Sequence, residues 1–180
     1  MNSPTELDTL LRAISFATRE HEGQYRKDGK TPYVAHPLRV YTIASQLFGI
    51  TDTETLAAAV LHDTLEDTLA DRDDLIEHFG PRVAEFVARL SKDKRLPEEE
   101  REKSYLDALR DGPLEVKLLK VADLYDNLID SSGLPRELRS KKIRKANEVL
   151  AIFDEDFPPS WRHILSALRL QVQLAQTTGS

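Results

Sequence analysis

The sequence contains no cysteine among its 180 residues. Without thiols the chain cannot form disulfide bonds, and it cannot hold a metal through thiolate ligands. Any metal site must therefore use nitrogen and oxygen donors, which histidine, carboxylate and amide side chains provide.

Long apolar runs are also missing, because no stretch reaches the roughly 18 apolar residues that a membrane-spanning helix requires. The first residues, MNSPTELDTLLRA, lack the basic-then-apolar order of a secretory signal. We therefore expect a cytoplasmic protein that has no membrane partner.

An excess of positive charge is absent as well. Lysine and arginine number 25 against 31 aspartates and glutamates, which leaves a formal charge of −6. A nucleic-acid backbone is attracted by summed positive charge, so this balance argues against nucleic-acid binding. A local basic patch could still hold a small anion.

The periodicity of the chain is helical throughout. Its seven glycines and nine prolines fall almost entirely between periodic segments, and no strand-like alternation of five or more residues occurs. We predict a single all-α domain over residues 1–180, in which the apolar segment 114–133 is central. The predicted helices are residues 4–22, 36–49, 51–67, 73–80, 81–92, 97–112, 114–133, 136–156 and 160–176.

The segment LAAAVLHDTLEDT, residues 56–68, places a histidine and three acids after a run of small apolar residues. In a continuous helix, at about 100° per residue, the four polar side chains share an arc of roughly 140° with the apolar ones. Ionised carboxylates on an inward face are costly unless positive charge pairs with them, and a bound cation would provide it. The polar residues are His62, Asp63, Glu66 and Asp67.

A second polar group lies in the apolar segment KVADLYDN, where Asp123 and Asn127 are one helical turn apart and Lys120 faces the same side. His36 occupies the predicted cap position of the helix that follows the loop GQYRKDGKTPYVAHP, and its imidazole could point into the bundle. Hard divalent cations prefer carboxylate and imidazole ligands. His62 and Asp63 supply two such ligands, and Asp123 and Asn127 are a second candidate pair.

In their order and spacing these motifs resemble the HD-domain phosphohydrolases. They resemble more narrowly the alarmone hydrolases related to the RelA/SpoT proteins, above all the small stand-alone Mesh1-like group. The similarity extends over roughly the first 130 residues, from about residue 13, and residues 135–180 would be C-terminal helices. The matching segments are HxGQxRKDG at 21–29, TPYVxHP at 31–37, LxAAxLHDTxEDT at 56–68, FGxxV at 79–83, DKxLPxxER at 93–101 and KxADxxxN at 120–127.

The resemblance implies a helical bundle with one metal ion in its core, commonly manganese, bound by His36, His62, Asp63 and Asp123. It implies that Glu66 and Asp67 manage the nucleophilic water and the proton transfers, with Asn127 in support. The basic pair Arg26 and Lys27 would bind substrate, although both could instead be ordinary loop charges.

Two positions depart from the RelA/SpoT pattern. A basic residue follows the metal aspartate in the long RelA/SpoT proteins and an arginine comes two residues after the asparagine, whereas this chain has Leu124 and Ile129. Asp126 and Asp130 add negative charge nearby. If these residues faced the pocket, they would weaken the binding of a tetra-anionic alarmone.

The function that the resemblance implies is removal of pyrophosphate from the 3′ position of (p)ppGpp, as in the stringent response. One alternative is a phosphatase for another nucleotide, such as the 2′-phosphate of NADPH or a nucleoside monophosphate. Another is a nucleotide sensor without turnover, although the intact Glu66 and Asp67 argue against it. The small-molecule nucleotide is the expected partner, and a homo-oligomer stays possible.

The remaining histidines and one basic run have simpler interpretations. We expect His21 to be a packed, hydrogen-bonded structural residue, and His78 and His163 to be surface or packing residues. The run RELRSKKIRK has six basic residues between Arg136 and Lys145. It is either a solvated helix face, the rim of an anion pocket or a site for a partner.

Overall fold

The computed structural model describes residues 5–177. Over this part of the chain it contains ten α-helices and no strand, apart from one isolated bridge between Tyr25 and Pro32. The helices are α1 Glu6–Glu20, α2 Ala35–Thr42, α3 Thr53–Leu61, α4 Thr64–Asp67, α5 Arg72–Phe79, α6 Pro81–Leu90, α7 Glu98–Arg110, α8 Leu114–Ile129, α9 Arg136–Phe153 and α10 Arg162–Thr177. The all-α prediction is confirmed.

Most helix ends follow local signals in the sequence. Helix α1 begins at Glu6 after Thr5, whose hydroxyl accepts a hydrogen bond from the Asp8 N–H. The predicted start at residue 4 lies outside the described residues. Gly80 has a φ of 88°, which glycine adopts without strain, and it separates α5 from α6.

Several predicted helix bounds differ from the observed ones by up to four residues, as at the end of α8, and two of the differences concern the site. Helix α2 begins at Ala35, so His36 lies in its first turn and Val34 is the N-cap. The predicted helix 51–67 is divided into α3 and α4 by His62 and Asp63. At this junction the His62 Nδ1 and the Thr64 hydroxyl donate to the carbonyls of Ala59 and Leu61, which end α3.

Helices α8 and α3 lie at the centre of the core. Helix α8 packs against α2, α3, α6, α7, α9 and α10, so the prediction of a central segment is confirmed. Helix α3 contacts α1, α2 and α6, and its alanines at 57, 58 and 59 are fully buried. Because these side chains are small, α1 and α2 can approach α3 closely. This arrangement brings α2, the α3–α4 junction and the middle of α8 together.

Two further elements complete the fold. A π-helical turn, Ile43–Leu47, continues α2, and a 3₁₀ turn, Pro159–Trp161, precedes α10. Within residues 5–177 none of the helices has both the length and the hydropathy that crossing a bilayer would require.

Candidate functional site

The four residues predicted to bind a metal converge at the centre of the bundle. His36 comes from α2, His62 and Asp63 from the α3–α4 junction, and Asp123 from α8. His36 Nε2 lies 3.2 Å from His62 Nε2, 3.5 Å from Asp63 Oδ2 and 3.2 Å from Asp123 Oδ1. His62 Nε2 lies 3.2 Å from Asp63 Oδ2 and 3.9 Å from Asp123 Oδ1.

These separations fit a divalent cation. Ligand atoms about 2.1 Å from a common centre are about 3.0 Å apart at 90° and about 3.4 Å apart at the tetrahedral angle. His36, His62 and Asp123 are buried and offer atoms that all lie within 4.8 Å of one another. Two imidazoles and two carboxylates form a donor set that divalent transition metals accept.

The hydrogen bonds of the two imidazoles support this assignment. His62 Nδ1 faces the Ala59 carbonyl at 2.8 Å, and His36 Nδ1 faces the Asp126 carboxylate at 2.6 Å. Both Nδ1 atoms must therefore donate, which leaves each Nε2 to bind either a metal ion or a proton. Two lone pairs 3.2 Å apart repel each other unless a cation or a proton lies between them.

The protonation of the site follows from its charges. Burial lowers the pKa of His62, but Asp63 and Asp123 outweigh that effect and raise this pKa to about 9. Burial alone would raise the pKa of Asp123, whereas Lys120, His36 and His62 hold it well below its usual range. Lys120 Nζ is 2.7 Å from Asp123 Oδ2. Asp123 is therefore ionised, as a carboxylate ligand would have to be.

Glu66 and Asp67 lie on α4, the helix that follows the predicted ligands His62 and Asp63. Glu66 Oε2 accepts a hydrogen bond from the Lys92 N–H at 3.0 Å, and Asp67 Oδ1 accepts one from Lys94 Nζ at 2.8 Å. Burial raises the pKa of Glu66, and the charges of Asp67 and Asp63 raise it further. A carboxylate with a raised pKa is better suited to accept and return a proton than one with an ordinary pKa.

The Tyr33 hydroxyl joins the acid pair to the ligands. Its oxygen lies 2.7 Å from Asp63 Oδ2 and 3.1 Å from Asp67 Oδ2. Burial and the charge of Asp63 raise the pKa of Tyr33 above its usual value, so the hydroxyl keeps its proton and acts as a donor. Its ring stacks on His21 at 4.7 Å.

All nine predicted site residues line one cavity of about 500 Å³. The predicted ligands and the acid pair form an acidic part of the lining, called the floor here, and cationic side chains form another part, called the wall. The sequence runs that supply this wall are far apart: the loop before α2, the segment after α6, and α9. The cations of this wall are Arg26, Lys27, Lys92, Lys141, Lys142 and Lys145. The lining also includes Lys120, paired with Asp123, and the acids Glu102 and Glu148, of which Glu102 pairs with Lys92.

Asn127 lies between the floor and the basic wall. Its Nδ2 donates to Asp123 Oδ1 at 2.5 Å, while its Oδ1 accepts from Arg26 at 3.1 Å and from Lys142 Nζ at 3.0 Å. Burial and the neighbouring charges of Arg26 and Lys27 lower the pKa of Lys142 to about 8. Crowded positive charge of this kind favours an anionic ligand.

The departures from the RelA/SpoT pattern affect the cavity less than expected. Leu124 is buried and lines the cavity, but Ile129 is 49% exposed and does not line it. Asp126 and Asp130 are not lining residues either, and they form ion pairs with Arg39. Only one of the two missing positive charges therefore concerns the cavity.

Several residues of the site have no role that the sequence alone predicts. Tyr33 belongs to the TPYVxHP segment, but only the fold shows that its hydroxyl reaches two carboxylates. Lys142 belongs to the run 136–145, and its position in the wall favours the anion-pocket interpretation of that run. Asp126 of α8 contacts His36 and Arg39 only because α2 packs on α8.

The other histidines lie where the sequence indicated. His21 is buried, and its Nδ1 is 2.9 Å from Gln24 Oε1. His78 packs against the ring of Phe16, and His163 is exposed beside Trp161.

Comparisons with known proteins agree with this geometry. The family model described as the HD domain matches residues 13–155. The chain is 43% identical over 122 residues to guanosine-3′,5′-bis(diphosphate) 3′-pyrophosphohydrolase MESH1 of Xenopus tropicalis, covering 67% of this chain and 68% of that protein. It is 42% identical over 127 residues to MESH1 of Homo sapiens, covering 70% of this chain and 71% of that protein.

A solved structure extends the similarity to nearly the whole chain. It is that of a metazoan ortholog of SpoT, a protein that hydrolyzes ppGpp and plays a role in starvation responses. The two folds superpose with a TM-score of 0.80 at 31% sequence identity, and the match covers 95% of this chain and 98% of that one. The likeness therefore includes the helices after residue 130.

Proposed function

The chain belongs to the HD domain family, and from that premise we propose that it is a metal-dependent hydrolase that removes pyrophosphate from the 3′ position of (p)ppGpp. The observation that supports this most is a cavity in which a cluster of imidazoles and carboxylates faces a wall of lysine and arginine. A phosphohydrolase needs both parts, one for the reacting group and one for the other phosphates.

We propose that His36, His62, Asp63 and Asp123 hold one divalent cation and that this cation is Mn²⁺. The mixed nitrogen and oxygen donor set without thiolate supports manganese over softer metals. When bound, the ion would supply Lewis-acid polarisation and would lower the pKa of a coordinated water.

The acid pair has two tasks in the proposed reaction. Glu66, whose pKa is raised by burial, accepts a proton from the attacking water and can return it to the leaving oxygen. Asp67, held by Lys94 and Tyr33, orients that water. No covalent intermediate with the protein is required.

Binding of the nucleotide falls to the cationic wall. Arg26 is held by Asn127 and Asp130, so its guanidinium is fixed before the substrate arrives. Lys27 is exposed at the cavity and can follow a mobile phosphate. Fixed cations in a partly desolvated cavity stabilise charge that develops on phosphoryl oxygens, and they need little reorganisation to do so.

Leu124 supports a second candidate, a phosphatase for a less highly charged nucleotide. It places an apolar side chain in the cavity wall beside Asp123, where the RelA/SpoT pattern has a basic residue. The 2′-phosphate of NADPH and nucleoside monophosphates are the alternatives to test. A sensor without turnover is disfavoured because both members of the acid pair face the cavity.

The deciding experiment identifies the product. Protein loaded with Mn²⁺ is incubated separately with ppGpp, NADPH and a nucleoside monophosphate, and released pyrophosphate and phosphate are measured independently. We expect pyrophosphate from ppGpp and none from the chelated control. Phosphate release from NADPH or the monophosphate, with ppGpp left intact, would support the second candidate. Cytoplasmic location, a role in the stringent response and homo-oligomerisation stay predictions.

A further inference from the structure

A buried carboxylate lies directly behind a proposed metal ligand. Asp126, on α8, is 1% exposed. Its Oδ2 accepts a hydrogen bond from His36 Nδ1 at 2.6 Å, and His36 Nε2 points from the opposite side of the ring toward Asp63 and Asp123. Asp126 thus contacts the ligand but not the space between the ligands.

Both oxygens of this carboxylate are occupied by donors. Arg39 Nε donates to Oδ1 at 2.6 Å, and Arg39 Nη2 donates to Oδ2 at 3.0 Å, the same oxygen that His36 uses. An amide at this position would turn its own N–H groups toward one of these donors. Only a carboxylate can accept all three of these hydrogen bonds, because they occupy both of its oxygens.

The charge of Asp126 is balanced without help from the metal. Arg39 binds it side-on, and Arg39 also reaches Asp130 Oδ1 at 3.2 Å. Asp130 in turn accepts from Arg26 Nε at 3.0 Å. The ion pairs therefore form a continuous chain from a metal ligand to the cationic wall of the cavity.

We propose that Asp126 is a positioning residue for the metal site: with Arg39 it fixes the ring of His36 and the tautomer in which Nδ1 holds the hydrogen and Nε2 is free to bind metal. This proposal rests on the proposed metal site. Hydrogen-bonded carboxylates behind metal-binding histidines fix ring orientation and increase ligand basicity. Asp130 fixes the position of Arg26 in the same way, and it has no contact with a proposed metal ligand.

A purely structural role for Asp126 and Arg39 predicts a different result. If Asp126 and Arg39 only held α2 against α8, their loss would lower stability while the folded protein kept its metal affinity. If Asp126 acts through His36, metal affinity and the ligand field of the bound ion must change in protein that is still folded.

The experiment compares metal binding by wild type and by Asp126→Asn. Apparent Kd for Mn²⁺ is measured by titration calorimetry, the electronic absorption of the Co²⁺ form is recorded, and far-UV circular dichroism of the metal-free protein checks the fold. For Asp126→Asn we expect a Kd about 10-fold to 100-fold weaker and an altered Co²⁺ spectrum. Wild-type Kd and spectrum in folded Asp126→Asn would overturn the proposal.

Two further variants complete the test. Arg39→Gln removes the two-point donor and leaves His36 as the partner of Asp126, and in protein that circular dichroism shows to be folded it should weaken Mn²⁺ binding several-fold. Asp130→Asn, one helical turn away, should keep the wild-type Kd for Mn²⁺ and raise KM for ppGpp. An unchanged Kd in folded Arg39→Gln would also refute the role. If wild type itself binds no divalent metal, the proposed function fails instead.

Discussion

At the scale of single residues, the role of a side chain in the site depends on its neighbours as well as on its residue type. Histidine and aspartate could be selected from the sequence because charged side chains on apolar helix faces need compensation. The Tyr33 hydroxyl and Lys142 could not be selected in the same way. Their roles depend on distances between segments about 30 residues apart in sequence, or on the packing of α9 near Asn127.

The acid pair separates metal binding from catalysis. We expect Glu66→Gln and Asp67→Asn to retain metal and fold but to lose turnover by roughly 10²-fold or more. The amide at position 66 cannot accept the proton of the attacking water, and the amide at position 67 lacks the charge that orients that water. Metal content and kcat are measured on the same preparations. Glu99→Gln, the same exchange at an exposed position of α7, is the matched control. Near-normal turnover in both site variants would contradict the assigned roles.

The lowered pKa of Lys142 predicts how KM for ppGpp depends on pH. Its pKa is about 8, so the side chain is charged below that pH and becomes neutral above it. Substrate phosphates stay ionised over this range, because their second pKa is near 6. We therefore expect KM for ppGpp to rise as pH increases through 8.

The control for this effect is Lys142→Arg, which stays charged because guanidinium does not titrate in this range. KM of this variant should not show the rise near pH 8. Lys142→Met should instead have a high KM at every pH. A rise of the same size in wild type and Lys142→Arg would assign the titration to another group.

At the scale of helices, the sequence predicted the number and order of segments well and one junction badly. Periodicity, prolines and glycines define where a helix starts and stops, and the segments from residue 73 onward all correspond to observed helices. The break between α3 and α4 was missed because side chains cap the end of α3. His62 and Thr64 take up carbonyls that a continuous helix would satisfy through its own N–H groups.

Thr64→Val tests how much the hydrogen bond at this junction contributes to the stability of the fold. Thr64 is fully buried, and its hydroxyl donates to the Leu61 carbonyl at 2.7 Å. Valine has nearly the same shape but no hydroxyl, so we expect the free energy of unfolding to fall by about 1 kcal/mol. Urea denaturation measures this change in the free energy of unfolding. Thr42→Val is the control, because its hydroxyl bonds to Leu38 O at an exposed position where water can substitute. Equal losses in the two variants would contradict a special role for the junction.

At the scale of the whole molecule, sequence periodicity shows which face of a helix is buried but not which helix covers it. The convergence of α2, the α3–α4 junction and α8 followed from the family resemblance and not from the helical pattern. The acids on α8 show the limit clearly. Asp126 and Asp130 share one helix face, and Arg39 on α2 pairs with both of them. Neither lines the cavity, although Asp130 also pairs with Arg26, which does.

This convergence predicts that the metal stabilises the fold as a whole. The four proposed ligands come from three places in the chain, so a bound ion links segments that unfolding would separate. A ligand that binds only the folded state, at 100 times its Kd, adds about 2.7 kcal/mol. For a chain of this size about 1 kcal/mol changes Tm by roughly 2–4 °C, so excess chelator should lower Tm by about 5–11 °C.

Differential scanning calorimetry with and without chelator measures this loss, and readdition of Mn²⁺ should reverse it. In Asp123→Asn, where one charged ligand is neutralised, the same chelator should change Tm by much less. That contrast separates loss of the central ion from any general effect of the chelator. An unchanged wild-type Tm in excess chelator would mean that the three segments are held together by their apolar contacts alone, and that the four side chains do not share an ion.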